Sequence, residues 1–301
     1  MRRVKHLIGY QCEDTASGNY LGQGIGIGVL DTGISPHPDF GERIRKFHDF
    51  VNQEQKMYDD SGHGTHVAGI LAGDGRASRG YYKGMAPKAE LFIGKVLDKK
   101  GNGTVWNVIQ GIEWILSNYQ EYGIRIVNIS VGTNPELNKM QKRQLILGVE
   151  RLWDAGLVVV ASAGNYGPKK GSVAVPGVSK KVITVGVYDG EWMNHRYQEG
   201  LWKYSGIGPT DACVIKPDVM APGLRIISCN RMRENRKMGW YTTKSGTSMA
   251  APVVAGAIAC LLSKYPDMSN VEVKLRLWET CRRLKEEGTG WGMLNVERLL
   301  K

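Results

Sequence analysis

The sequence is sparing in the features that would settle its class at a glance. Its 301 residues hold five cysteines, Cys12, Cys213, Cys229, Cys260 and Cys281. An odd count with no Cys-x-x-Cys signals neither a full disulfide framework nor a cysteine zinc cluster. Cys260 sits in an apolar stretch, which predicts a reduced core thiol. No apolar run is expected to approach the roughly 18 residues of a membrane span. The opening Met1-Arg2-Arg3-Val4-Lys5-His6-Leu7-Ile8-Gly9-Tyr10 is basic and lacks the continuous apolar centre of a secretory signal. With the cysteine usage, that predicts a cytoplasmic protein, a secreted mature-length chain being the alternative. Repeats, low-complexity tracts and linkers are missing too, so one domain is expected over residues 21–301, behind an N-terminal arm of residues 1–20.

Negative charge is also in short supply. Forty Lys and Arg against 29 Asp and Glu give a formal charge of +11. The cations are scattered: Lys139, Lys142 and Arg143; Arg231, Arg233, Arg236 and Lys237; Arg282, Arg283 and Lys285. A nucleic-acid binder would gather them into a stripe with interleaved aromatics. The pattern therefore predicts a solvated basic surface, with no nucleic-acid or membrane partner, and leaves room for an acidic substrate.

What is present is an alternation of short apolar runs and helical spacings. Ile25 to Leu30 reads as a buried strand that ends at Asp31-Thr32-Gly33. Residues 36–60 read as loop. Strands are expected at 89–97, 124–131, 157–161 and 182–187, with a short one near 224–228. Helices are expected after His63, over 104–122 and 137–155, after Ser248, and over 270–284 and 293–300. Strands alternating with helices predict an α/β fold with a parallel sheet and helices on both faces. Pro252 fits the helix after Ser248 if it lies in the first turn.

Four positions in this frame carry chemistry. Asp31 ends a strand, His63 opens a small-residue helix, Asn165 follows a strand, and Ser248 stands at a helix N-terminus after Gly246. A serine hydroxyl attacks an amide only with a base to take its proton, and imidazole can later return that proton to the leaving amine. A carboxylate fixes the imidazole tautomer, and a side-chain amide with a backbone N–H can hold the oxyanion. His63 and His66 lack the glutamate and spacing of a zinc peptidase, so His66 is expected to be structural.

Each motif alone is weak. Together, Gly28-Val29-Leu30-Asp31-Thr32-Gly33, His63-Gly64-Thr65-His66-Val67-Ala68-Gly69, Ala163-Gly164-Asn165 and Gly246-Thr247-Ser248-Met249-Ala250-Ala251-Pro252 resemble the subtilisin family of serine peptidases. The resemblance implies a subtilisin-like three-layer α/β fold with a mostly parallel seven-stranded sheet, and serine endopeptidase activity on polypeptides. It implies Asp31, His63 and Ser248 as the triad and Asn165 as the oxyanion donor. It implies Ser130, Val131 and Gly132 as the substrate-binding strand, Ala161, Ser162, Ala163 and Gly164 as a pocket wall, and Ala174 near the pocket floor. A small floor and glycine walls predict large apolar or aromatic residues before the cut; Thr133-Asn134-Pro135, where the family often has another glycine, bears on pocket depth. No cofactor is needed for the chemistry. The family binds structural calcium, and Asp39 is the candidate ligand, although Arg76 and Arg79 stand in the partner loop. Leu7-Ile8-Gly9-Tyr10 resembles the inhibitory motif of intracellular subtilisins, which predicts that residues 1–17 lie across the cleft. A dedicated maturation protease and a catalytically silent homologue are the alternative readings.

Overall fold

A computed structural model of the chain describes residues 1–10, 19–132, 137–189, 204–231 and 239–301. Its frame is a parallel sheet of β1 (Gly26–Asp31), β2 (Ile44–Asp49), β3 (Glu90–Lys95), β4 (Ile124–Ile129), β5 (Val158–Ser162), β6 (Ile183–Val187) and β7 (Val219–Ala221). Their spatial order is β2-β3-β1-β4-β5-β6-β7, with every neighbouring pair parallel. Every residue of β1, β5 and β6 is buried, as expected of parallel strands covered on both faces. The strand order reverses direction at β1, and open α/β sheets place their chemistry at the strand C-termini beside such a point.

Two apolar clusters fill the space on either side of the sheet. One joins α2 (His63–Ala72) and α5 (Thr247–Lys264) to the sheet through Val67, Ile70, Val253 and Ile258. The other joins α3 (Val105–Asn118) and α4 (Lys139–Asp154) through Ile112, Ile115, Val149 and Leu152. The result is the expected three-layer sandwich. The helices start where side chains satisfy their free N–H groups: Thr104 caps α3, and Asn138 with Gln141 forms a capping box on α4. Ser269 with Glu272 does the same for α6 (Asn270–Thr280).

α5 departs from two expectations. It is the one helix among the described residues long and apolar enough to cross a membrane, against the expectation of no such run. Here it is a core helix, buried from Met249 to Leu262. Pro252 is its sixth residue rather than a first-turn residue, so the helix forgoes the bond from position 252 to the Ser248 carbonyl.

A helix apolar on all sides needs cover on its outer face as well. The N-terminal α1 (Arg2–Leu7) and the C-terminal α7 (Val296–Leu300) belong to the same cluster as α5, contributing Val4 and Val296. The arm is thus partly core, with Met1, Val4 and Ile8 buried. Arg3 donates to the Asp189 carboxylate at 2.6 Å and to the Leu224 carbonyl, and the Val296 N–H donates to the Ile8 carbonyl at 2.7 Å. These contacts tie residues 1–10 to α7 and to the segments that follow β6 and β7; residues 11–18, with Cys12, fall outside the described residues, as does Thr133-Asn134-Pro135.

The strands absent from the sequence reading are instructive. β2 lies inside the region read as loop, because at the sheet edge its Ile44-Arg45-Lys46-Phe47-His48-Asp49 stays largely exposed and polar. β7 is too short to show a pattern. β9 (Tyr241–Lys244) pairs antiparallel with β8 (Ile226–Cys229), forming a hairpin over α2.

Candidate active site

Asp31 is the last residue of β1 and is fully buried. His63 is the first residue of α2, and its Nδ1 lies 2.7 Å from Asp31 Oδ1. A carboxylate only accepts, so Nδ1 carries the hydrogen and the Nε2 lone pair faces outward. The same Oδ1 receives the Thr32 N–H at 2.7 Å. Burial opposes charging of the imidazole, but the Asp31 carboxylate, by charge and hydrogen bond, outweighs it and lifts the His63 pKa above the ordinary histidine value. Lys244 pulls in the opposite direction and the buried Asp59 adds to the rise.

His63 is held in place by residues the sequence reading passed over. The Asp59 carboxylate accepts from Ser61 N (3.1 Å), Gly62 N (2.7 Å) and Thr65 N (2.8 Å), which caps α2. It also accepts from Thr65 Oγ1 at 2.6 Å and Thr32 Oγ1 at 2.9 Å, and Thr32 Oγ1 in turn accepts the Gly64 N–H at 2.9 Å. One carboxylate thereby locks the loop after Asp31 to the helix that starts at His63. The sequence did not mark it: Asp59 stands four residues ahead of His63, and the N-cap position itself is Gly62. The fully buried Lys95 adds a second tie, donating to the Thr32 and Leu97 carbonyls and to Asp60 at 2.7–2.9 Å. His66 is structural, as expected. Its Nε2–H donates to the Ile226 and Thr242 carbonyls at 3.0 and 3.2 Å, and burial pushes its pKa down to about 3.

Ser248 is the second residue of α5. Its hydroxyl donates to the Ser130 carbonyl at 2.9 Å rather than to His63. Without substrate such catalytic bonds are often unformed. Asn165 is exposed just beyond β5, and its Oδ1 is pinned by the Thr247 N–H (3.2 Å) and hydroxyl (3.1 Å). That leaves the Nδ2 donors free. Gly246, at φ +148°, lies beside them: a methyl group there would lie 3.5 Å from Asn165 Nδ2 and 3.8 Å from Ser248 N. The Asn165 amide and the Ser248 N–H thus neighbour one another at the start of a buried helix, where partial positive charge collects.

The residues expected to bind substrate also converge. A methyl group on Gly132 would sit 3.6 Å from Ala174 Cβ and 3.7 Å from Gly164 Cα, and one on Gly164 would sit 2.6 Å from Ala174 Cβ. Gly164 has φ +82°, and the Ala174 N–H donates to the Ala163 carbonyl at 2.8 Å. Gly132, Gly164 and Ala174 therefore meet in a slot that any larger side chain would fill, with buried Ala161, Ser162 and Ala163 behind it and Val131 half-buried at its edge.

Asp39 does not fit a calcium ion. Its carboxylate is taken by the Ala77 N–H and the Tyr241 hydroxyl, both at 2.8 Å, and Arg43 and Arg76 crowd the neighbouring Asp74. Calcium needs six to eight oxygens, and this loop supplies hydrogen-bond donors and cations instead. His37, Asp39 and Cys229 bring possible ligand atoms within 4.8 Å of one another. The His37 nitrogens, however, are already used by Asp39 N and the Trp240 carbonyl.

Residues 22–292 match the subtilase family. The chain belongs to the subtilase family. The serine protease AprX of Bacillus subtilis is 40% identical to this subtilase over 291 residues, covering 92% of the chain and 66% of AprX. Subtilisin DY of Bacillus licheniformis is 34% identical, covering 92% of the chain and 91% of that relative. Among solved structures, a cold-adapted subtilisin-like serine proteinase superposes with a TM-score of 0.71 at 27% identity, covering 92% of this chain and 90% of that one. The family is that of subtilisin-like serine endopeptidases, and its substrates are polypeptides.

Proposed function

We propose that this subtilase cleaves peptide bonds through an acyl-enzyme, with Asp31, His63 and Ser248 as its triad. Ser248 Oγ attacks the scissile carbonyl while His63 Nε2 takes its proton. Asp31 holds the tautomer and balances the imidazolium. Asn165 Nδ2 and the Ser248 N–H receive the oxyanion, and His63 then protonates the departing amine. Water repeats the sequence on the ester and releases the acid. The observation that carries this reading is the 2.7 Å Asp31–His63 contact, which leaves Nε2 as the open base. The main chain of Ser130, Val131 and Gly132 pairs with the substrate as an added strand. The slot bounded by Gly132, Gly164 and Ala174 supports a preference for flat aromatic or long apolar side chains before the cut. The free buried thiols Cys229, Cys260 and Cys281 support a reducing, cytoplasmic setting. Calcium, if this subtilase uses it, binds elsewhere than at Asp39.

The test is a fluorophosphonate probe with casein digestion as the parallel readout. Labelling of the wild type that vanishes in Ser248→Ala, together with loss of casein cleavage, is the expected result. Undiminished labelling of the variant would place the nucleophile elsewhere.

A further inference from the structure

Two cations beside His63 are unused by the chemistry above. Arg231 follows β8 with its stem against Gly62, the residue before His63: a methyl group on Gly62 would meet Arg231 Cδ, Cγ and Cβ at 3.1, 3.2 and 3.4 Å. Lys244 ends β9, four residues before Ser248, and acts electrostatically on both His63 and His66. Both are half-buried, and neither side chain has a hydrogen-bond or ion-pair partner among the described residues. The nearby carboxylates are already committed: Asp31 to His63, Asp60 to Lys95, and Asp59 to five donors. Among the described residues, this rim therefore carries positive charge with no carboxylate to balance it.

The side of the cleft it occupies follows from the reaction. The acyl half of a substrate lies along Ser130, whose carbonyl is 2.9 Å from Ser248 Oγ. His63 must hand its proton to the leaving nitrogen, so the leaving half lies on the imidazole's own side. The hairpin β8–β9 adjoins that side, fastened to α2 by the two carbonyls that accept from His66. Arg231 and Lys244 stand on that hairpin, beside the helix that begins at His63.

We propose that Arg231 and Lys244 select Asp or Glu in the first residues after the scissile bond, making acidic segments the preferred leaving half of the substrate. This rests on the triad reading. Because the two cations meet substrate partly in solvent, each contributes a few-fold in kcat/KM, and the pair about tenfold for an acidic over a basic residue. A charge effect of this kind weakens with salt, whereas fit in an apolar slot does not.

The experiment compares quenched fluorescent peptides that differ only in the two residues after the cut: Asp-Asp, Ala-Ala or Lys-Lys. The enzyme is titrated first with the fluorophosphonate, so that rates refer to active sites. The wild type is expected to favour Asp-Asp over Lys-Lys about tenfold at low salt, with the ratio shrinking toward one in 1 M NaCl. Arg231→Gln with Lys244→Gln should remove most of the ratio, and Lys244→Glu should turn it toward Lys-Lys. The salt series needs no variant and so stands even if one fails to fold. Normal labelling with equal kcat/KM for Asp-Asp and Lys-Lys overturns the charge selection and leaves the triad standing. A ratio that survives in the double glutamine variant also overturns it. Absent labelling of the wild type strikes the triad reading first.

Discussion

Asp59 bears the heaviest structural demand near the reaction, and replacing it tests how far one capping carboxylate sets the catalytic geometry. In Asp59→Ala the buried Gly62 and Thr65 N–H groups lose their acceptor, while the Thr32 and Thr65 hydroxyls can turn elsewhere. Each orphaned buried donor costs about 1–3 kcal/mol, and water entering the vacated space offsets part of that. Loss of a helix cap by itself costs about 1 kcal/mol. These overlapping estimates put the destabilisation at about 2–4 kcal/mol, a fall in Tm of about 3–6 °C for a chain of this size. Stability is best measured by urea unfolding in a Ser248→Ala background, where self-digestion cannot intervene. In the active enzyme the same change frees the first turn of α2, which carries His63. A base displaced by 1 Å can cost about a hundredfold, so kcat should fall at least tenfold. KM should move less than about twofold, because Asp59 makes no contact with the strand at Ser130–Gly132 and its effect is confined to the chemical step. Asp59→Asn keeps one acceptor and should fall between. A loss of stability below 1 kcal/mol with kcat unchanged would refute the claim that this carboxylate sets the position of His63.

Three further outcomes follow from the site. Asn165→Ala should lower kcat about a hundredfold with little change in KM, a size taken from subtilisin's own oxyanion-hole asparagine; Gly246→Ala, whose methyl would lie 3.5 Å from Asn165 Nδ2 on a backbone at φ +148°, should also lose activity while leaving the Asn165 amide in the chain. The acid limb of kcat/KM should have its midpoint above the free-imidazole value, because neutral His63 is the active base and Asp31 raises its pKa; Asp31→Asn should abolish most activity, and a wild-type midpoint well below 6.5 would contradict the raised pKa. His66 works the other way for stability: buried neutral with a pKa of about 3, it contributes fully above 6.5, and that contribution drains away as pH falls from 6.5 toward 3, which acid unfolding of His66→Gln against the wild type would read out as a flatter pH dependence.

Much of the frame was legible because buried parallel strands leave a plain mark. Ile27, Val29 and Leu30, or Val158, Val159 and Val160, have no polar face to show, and the helices between them have the spacing of one buried side. β2 was not legible, since an edge strand exposed to water need not be apolar. α1 was not either: six residues carry too little periodicity, and its burial exists only because α5 is apolar all round and requires a cover. The site divided in the same way. Asp31, His63, Asn165 and Ser248 stood out through the glycines and small residues around them, which serve close backbone approach. Asp59, Lys95 and Thr32 are common polar residues in polar company, and nothing in their neighbourhood announces the bonds they make.

The sequence by itself determined the chemical inventory, the strand and helix alternation, and the order in which nucleophile, base and acid appear, because those are set by residue type and local spacing. The tertiary structure decided which of these groups share a hydrogen bond, that Asp39 is enclosed by donors, and that Arg231 and Lys244 have no acidic partner among the described residues. Such matters depend on distances between segments up to two hundred residues apart. Electrostatic and hydrogen-bond energies change over a few ångströms, and only the packed sheet and helices fix separations that finely.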